Sequence, residues 1–145
     1  MIEPLRLSFE VGCPVAHAFE VWTNRISSWW PADHSVSGED RLLVVLEGRP
    51  GGRIFERTAT GAEFEWGEVT VWEPPTRLAC LWHLRQDRDD ATEVEITFVD
   101  QGNATTRVEI EHRGWERLGA RGQGLRDANT AGWSSLVPHF IAGTA

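Results

Sequence analysis

Residues 92–112 have the sequence TEVEITFVDQGNATTRVEIEH, which predicts a β-hairpin. Apolar and polar residues alternate along both arms, as they do in strands with one face on a core and the other in water. The two predicted strands are Thr92–Val99 and Thr105–His112, and Gln101-Gly102-Asn103 between them is a hairpin signal. We therefore expect these strands to pair antiparallel.

Five segments upstream of this hairpin also predict strands. Leu5–Val11 alternates strictly between apolar and polar residues. The other four are bounded by turn residues such as Pro50-Gly51-Gly52 and Pro74-Pro75. They span Leu42–Glu47, Arg53–Thr58, Glu63–Glu73 and Arg77–Leu84. Because the connections between consecutive strands are short, we expect one antiparallel sheet.

Helical periodicity occurs in two places. Pro14 suits the first position of a helix, and a second short helix is predicted over Asn24–Trp30. Near the C-terminus, apolar residues at three- and four-residue steps predict one long amphipathic helix. Its apolar face comprises Leu125, Ala128, Gly132, Trp133, Leu136 and Phe140. Pro138 should kink this helix or close its last turn. The glycine-rich segment Arg113–Gly124 before it predicts a flexible connection and no regular element.

The order of elements is strand, two short helices, six strands and one long helix. A curved antiparallel sheet wrapped around the long C-terminal helix satisfies this order, so we predict an α+β fold. A length of 145 residues suits a single domain over residues 1–145.

Charge and composition exclude several classes of function. The formal net charge is −8 with no basic cluster, which argues against a nucleic-acid partner. No apolar run approaches the roughly 20 residues of a membrane span, and no signal peptide is visible, so we expect no membrane partner and a cytoplasmic location. All 14 basic residues are arginine, which excludes Schiff-base chemistry on a lysine. Cys13 and Cys80 lack metal-type spacing, and we expect both to be reduced.

Strand alternation predicts which side chains point into the fold, because neighbouring residues of a strand face opposite sides. Arg53 and Arg57 share one parity and should face water, which places Ile54 and Glu56 inward. The same argument places inward Phe64, Trp66, Trp72, Leu78, Cys80, Trp82, Val94, Ile96, Phe98, Val108, Ile110 and His112. The eight tryptophans therefore favour an aromatic interior that contains two ionisable groups, Glu56 and His112.

A series of short motifs in a fixed order resembles one known family. The motifs are Pro50-Gly51-Gly52-Arg53-Ile54-Phe55-Glu56-Arg57, Trp66-Gly67-Glu68-Val69, Glu73-Pro74-Pro75-Thr76-Arg77-Leu78, Leu81-Trp82, Thr106-Arg107-Val108-Glu109-Ile110-Glu111-His112 with Arg113-Gly114-Trp115, and Trp133. From Leu5 to Ile141 the chain resembles the homologues of the activator of heat-shock protein 90 ATPase C-terminal domain, within the START-like (SRPBCC) superfamily. The resemblance implies a helix-grip fold and the binding of a small hydrophobic or aromatic molecule in a cavity between the sheet and the C-terminal helix.

We expect six side chains to contact this ligand: Glu56, Trp66, Trp82, His112, Trp133 and Phe140. Two interpretations of the ionisable groups stay open. Glu56 and His112 either orient a ligand among the tryptophan rings, or form a satisfied pair that ties two strands together. Trp82 and Trp133 likewise either stack on a flat ligand or fill the core.

The remaining aromatic and histidine residues give weaker signals. One ring of Trp29-Trp30 should be exposed, either as the rim of the cavity or as a cap on the core. His83 has the outward parity, and His34 has no partner at ligand spacing. We therefore predict no metal site and no cofactor. The glycine-rich segment from Gly114 to Gly124 is expected to act as a gate for the ligand. The chain is expected to be a monomer or a homodimer.

Two alternative functions stay open. A cyclase- or hydrolase-like enzyme would use Glu56 and His112 as acid and base, because burial should raise the pKa of the Glu carboxyl and lower that of the His. No nucleophile elbow, phosphate loop or zinc motif identifies a reaction. The other alternative is a co-chaperone-like stress-response protein. The resemblance implies a separate N-terminal domain for that co-chaperone, for which we expect no room in 145 residues.

Overall fold

The computed structural model describes residues 1–145, and it has the predicted helix-grip architecture. One seven-stranded antiparallel sheet has the strand order β1-β7-β6-β5-β4-β3-β2. The strands are β1 (Leu5–Val11), β2 (Leu43–Leu46), β3 (Arg53–Arg57), β4 (Glu63–Glu73), β5 (Arg77–Trp82), β6 (Thr92–Gly102) and β7 (Thr105–Arg113). The helices are α1 (Val15–Trp22) and α2 (Gly122–Gly143). The predicted hairpin is β6–β7, whose register pairs Ile96 with Ile110.

The bounds or the type of several predicted elements differ from the structure. β6 continues to Gly102, three residues beyond the predicted Val99. β5 ends at Trp82, two residues before the predicted Leu84. The predicted helix over Asn24–Trp30 is a single 3₁₀ turn at Ile26–Ser28. α2 continues through Pro138 to Gly143, so this proline does not close the last turn.

The glycine-rich segment before α2 contains helical turns, which corrects the prediction that it has no regular element. The 3₁₀ segment Trp115–Arg121 consists of two short helices joined at Gly119, whose φ of 59° and ψ of −131° are not helical. It starts after Gly114, whose φ of +94° few other residues adopt. The Trp115 ring is buried, and its indole N–H donates to the His112 carbonyl at 2.9 Å. This buried ring anchors the segment to the sheet.

Two bulges in β4 decide which of its side chains face α2. Trp66 is the extra residue opposite β3, and Thr70 is the extra residue opposite β5. Each bulge shifts the alternation by one residue. As a result Trp66 and Val69 are both buried, and Trp72 packs against the same core. Phe64 pairs with Glu56 and shares its face, but its side chain is 38% exposed, so it does not lie in the interior.

The core lies between the concave face of the sheet and α2. Trp133, Leu136 and Phe140 are the buried side chains of α2's apolar face. Trp29 and Trp30 are both buried as well, which corrects the prediction that one ring is exposed. Each indole is accommodated because its N–H donates to a carbonyl, that of Val21 for Trp29 and that of His34 for Trp30.

Two further features concern membrane-spanning helices and the reactivity of the cysteines. No helix is long and apolar enough to cross a membrane. Cys13 and Cys80 are both free and buried. Burial raises the pKa of the Cys80 thiol to about 12, so this thiol is protonated and unreactive at neutral pH.

Candidate functional site

The candidate site is a groove between α2 and the end of β5, with a volume of about 240 Å³. We call it the tryptophan groove. Its aromatic wall consists of Trp30, Trp82 and Trp133. The other lining residues from α2 are Leu125, Ala128, Asn129, Gly132 and Leu136, and those from the loops are His34, Leu84, Arg85 and Gln86.

The three tryptophans of the groove contact one another. The Trp82 ring lies 5.3 Å from the Trp133 ring and 6.0 Å from the Trp30 ring, measured between centroids. Behind them the interior is filled, and the remaining void of about 10 Å³ has an entirely apolar lining. Space for a ligand therefore exists at the side of α2 and not in the deep interior.

His112 lies behind this wall in a chain of hydrogen bonds. Trp133 donates its indole N–H to Nδ1 of His112 at 3.0 Å. Because Nδ1 accepts, Nε2 carries the proton of the neutral ring and donates to Thr92 Oγ1 at 2.6 Å. Thr92 in turn donates to the Trp82 carbonyl at 3.3 Å. This series of hydrogen bonds fixes the His112 tautomer. It connects the backbone of Trp82 to the side chain of Trp133.

Burial lowers the pKa of His112 to about 3, in agreement with the predicted direction. The imidazole is therefore neutral at physiological pH. Both ring nitrogens are occupied within the protein. The ring fixes the orientation of Trp133 and has no free nitrogen to transfer a proton.

Glu56 is fully buried and is satisfied by a different set of donors. Its Oε1 accepts the Val36 N–H at 2.6 Å and the Trp66 indole N–H at 2.7 Å, and its Oε2 accepts the Ser37 N–H at 3.0 Å. Burial alone would raise the pKa of this carboxyl. The three hydrogen bonds outweigh burial, so the pKa of Glu56 is lowered, which corrects the predicted rise.

Glu56 and His112 do not form a pair. Glu56 is on β3 and His112 is on β7, four strand steps away in the sheet. At about 4.8 Å per step, the two backbones are about 19 Å apart along the sheet. The acid–base alternative built on these residues therefore lacks both the contact and a group that titrates near neutral pH.

The polar end of the groove is formed by the loop around His34 and the turn after β5. Arg85 donates from Nε to the Ser35 carbonyl at 2.8 Å and from Nη2 to the Asp33 carbonyl at 2.7 Å. His34 Nδ1 lies 2.7 Å from Asp33 Oδ1. The hydrogen bond from His34 lowers the pKa of the Asp33 carboxyl. The Glu56 carboxylate holds the same loop through Val36 and Ser37.

The structure divides the six predicted site residues into two groups. Trp82 and Trp133 line the tryptophan groove. Glu56, Trp66 and His112 lie behind it, and Phe140 packs farther along α2 with its ring centroid 4.9 Å from that of Trp22. Whether any of the six contacts a ligand stays a prediction.

Sequence reasoning did not identify several groove residues. The sequence does not decide whether Trp30 forms the rim of a cavity or a cap on the core. His34 and Arg85 lie in irregular segments, where no periodicity indicates the direction of a side chain. Ala128 and Gly132 did carry a signal. They lie four residues apart on the apolar face of α2, where small side chains leave room beside the sheet.

His83 also has a role that its outward parity did not reveal. It is buried, and its Nε2 lies 3.0 Å from Glu65 Oε2. Arg88 donates to the same carboxylate oxygen at 3.0 Å. These three side chains form a structural cluster outside the tryptophan groove. The structure contains no group of three or more His, Cys, Asp or Glu side chains placed to hold a metal ion.

Comparison with known proteins identifies relatives of this chain. The model of a family described as Activator of Hsp90 ATPase homolog 1-like protein matches residues 12–143. A solved structure described as the anthrahydroquino-Gama-pyrone synthase Txn09 is 36% identical, covers 89% of this chain and 88% of its own, and has a TM-score of 0.62. The self-sacrificing resistance protein CalC from Micromonospora echinospora is 28% identical, with 97% and 93% covered and a TM-score of 0.75.

More distant structures share only the fold. An Hsp90 activator from Plasmodium falciparum, PFC0360w, is 18% identical over 76% of this chain and 71% of its own, with a TM-score of 0.56. No curated protein sequence matches the chain.

Proposed function

The chain belongs to the family of Activator of Hsp90 ATPase homolog 1-like proteins, and from that premise we propose that it binds one small aromatic molecule in the tryptophan groove. The observation that carries the proposal is the wall of Trp30, Trp82 and Trp133 beside an open volume of about 240 Å³. An apolar cavity of about 150 Å³ holds benzene, so the groove suits a molecule of one or two fused rings. The 36% identical structure is described as an anthrahydroquino-Gama-pyrone synthase, and this name of a fused aromatic compound supports an aromatic ligand.

In this proposal the predicted site residues have two roles. Trp82 and Trp133 contact the ligand through their ring faces, together with Trp30. Glu56 and His112 act through them: Glu56 holds the loop that carries His34, and His112 holds the Trp133 indole. The chain acts as a single START-like domain.

Gly132 provides a selective test of the groove. It lines the groove, and a Cβ added there would meet no atom within 4 Å. Gly132→Leu therefore places a side chain in the ligand volume without a backbone clash. Because Leu favours a helix interior over Gly by about 0.8 kcal/mol, the variant should fold at least as well as the wild type. We expect it to bind naphthalene-2-carboxamide, a neutral two-ring probe, at least tenfold more weakly, as measured by isothermal titration calorimetry.

Gly124→Leu is the matched control. Gly124 is on the same helix, is exposed, and has the same free space around its Cβ, but it does not line the groove. The control should bind the probe as the wild type does. Equal affinities of both variants, or no binding by the wild-type protein, would contradict the proposal.

The second candidate function is proton transfer on a bound ligand, with His34 as the base. His34 lines the groove, its Nδ1 faces Asp33, and its Nε2 has no hydrogen-bond partner in the protein. A carboxylate on one ring nitrogen orients the other nitrogen toward a reacting proton. The 36% sequence identity between this chain and a synthase also supports this candidate.

Deuterium exchange into 2-tetralone, a two-ring ketone with an acidic C–H, tests this second candidate. His34 Nε2 would take the α-proton, leaving an enolate, and would return a deuteron from D₂O to the same carbon. The wild-type protein should accelerate exchange, and both His34→Gln and Asp33→Asn should reduce it. Exchange at the buffer rate with the wild-type protein would eliminate this candidate and leave the binding function intact.

A further inference from the structure

The lining of the tryptophan groove contains a positively charged side chain and no carboxylate. The chain has 22 acidic residues, yet none of them lines the groove. Its only permanently charged side chain is Arg85. Carboxylates do line other surface pockets, such as Glu95 on the outer face of the sheet. The adjoining pocket beside Phe64, which shares Arg85 and Gln86 with the groove, includes Asp87.

The Arg85 guanidinium is held in place without a carboxylate partner. Its two hydrogen bonds go to the backbone carbonyls of Ser35 and Asp33, which fix its orientation without neutralising its charge. By contrast, Arg113 contacts Glu93, Glu95 and Glu111. The Arg85 backbone also adopts a φ of +65°, an uncommon conformation for a residue with a Cβ.

A second hydrogen-bond donor of the groove is unused. The indole N–H groups of Trp30 and Trp133 donate to His34 and His112, whereas that of Trp82 makes no hydrogen bond within the protein. The groove therefore combines the charge of Arg85, an unpaired indole N–H and an aromatic wall. An aromatic ligand with an oxygen acceptor would complement these features.

We infer that the tryptophan groove selects aromatic molecules that carry an anionic oxygen, a carboxylate or a phenolate, through the guanidinium of Arg85. This inference rests on the proposed binding function and adds the charge of the ligand to it. A guanidinium binds such an oxygen through charge-assisted hydrogen bonds. Because the net charge of −8 repels anions at long range, a preference for the anion must come from a local group.

The test compares two probes of nearly equal shape, naphthalene-2-carboxylate and naphthalene-2-carboxamide, by calorimetric titration. Arg85 is exposed at the mouth of the groove, which limits its electrostatic contribution. We expect the wild-type protein to bind the carboxylate about tenfold more tightly than the carboxamide. In Arg85→Gln the ratio should fall to about one, because the carboxylate loses more affinity than the carboxamide does.

Arg117→Gln is the matched control, since Arg117 is exposed, makes no ion pair, and lies outside the groove. It removes the same charge and should keep the tenfold ratio. Equal binding of both probes by the wild type would overturn the inference and leave the binding function standing, whereas no binding of either probe would contradict both. If Arg85→Gln also loses the carboxamide, Arg85→Lys decides: a retained preference for the carboxylate supports the inference, and a lost preference overturns it.

Discussion

Replacement of Glu56 by glutamine tests whether this buried carboxylate supports the fold or contacts the ligand. The carboxylate accepts three hydrogen bonds, from Val36, Ser37 and Trp66. In Glu56→Gln one oxygen becomes an NH₂ group, which faces a donor and leaves at least one buried N–H unsatisfied. An unsatisfied buried donor costs about 1–3 kcal/mol, and the remaining bonds weaken because the acceptor is no longer charged.

A neutral side chain is also less costly to bury than a carboxylate, which offsets part of this loss. We therefore expect Glu56→Gln to reduce the free energy of unfolding by about 2–3 kcal/mol at neutral pH. For a chain of this length that corresponds to a fall in Tm of about 4–12 °C. Urea denaturation followed by tryptophan fluorescence measures the free energy of unfolding, and thermal denaturation followed by the same signal measures Tm. Glu10→Gln is the control, because Glu10 is an exposed strand residue that makes no ion pair.

The pH dependence has a defined sign. The pKa of Glu56 is lowered from 4.5 in the folded protein, so the ionised group stabilises the fold above pH 4.5. This contribution is lost as the pH falls through the lowered value. The stability difference between the wild type and Glu56→Gln should therefore narrow in acid. A variant as stable as Glu10→Gln that no longer binds the probe would refute this reasoning and place Glu56 in direct contact with the ligand.

Three further predictions concern the hydrogen bond to His112, the glycine-rich segment and the two cysteines. Trp133→Phe should lower the free energy of unfolding by at least about 1 kcal/mol, because it leaves Nδ1 of His112 without its donor; unchanged urea stability would contradict the hydrogen-bond chain. Amides of Leu118–Arg121, which follow the anchored Trp115, should exchange with deuterium faster than those of β6, and equal protection would remove the gate hypothesis. Cys13 and Cys80 should resist iodoacetamide in the native protein and react after denaturation, and native reactivity of Cys80 would contradict its burial.

The sheet and the long helix could be predicted because their patterns are local. β1 and the β6–β7 hairpin follow from alternation, β4 follows from the turn residues that bound it, and the apolar face of α2 follows from helical spacing. The segment over Trp115–Arg121 could not be predicted in the same way. Its glycines suggested mobility, whereas a single buried ring and its hydrogen bond to β7 determine its structure.

The site was less predictable than the fold, since it depends on long-range contacts. The inward parity of Glu56 and His112 suggested that they act together, but parity does not report how many strands lie between two residues. The prediction that the pKa of Glu56 is raised was wrong for a similar reason. Its donors Val36 and Ser37 belong to an irregular loop, which no sequence pattern places against β3.

The most direct test of the account is a ¹H–¹⁵N NMR titration of the indole N–H signals with naphthalene-2-carboxamide. The eight tryptophans give eight signals, which Trp→Phe variants assign. We predict shifts in the signals of Trp30, Trp82 and Trp133, which line the tryptophan groove, and none in that of Trp115, which does not. Saturable shifts confined to tryptophans outside the groove, or no shifts at all, would contradict the claim that this groove binds the ligand.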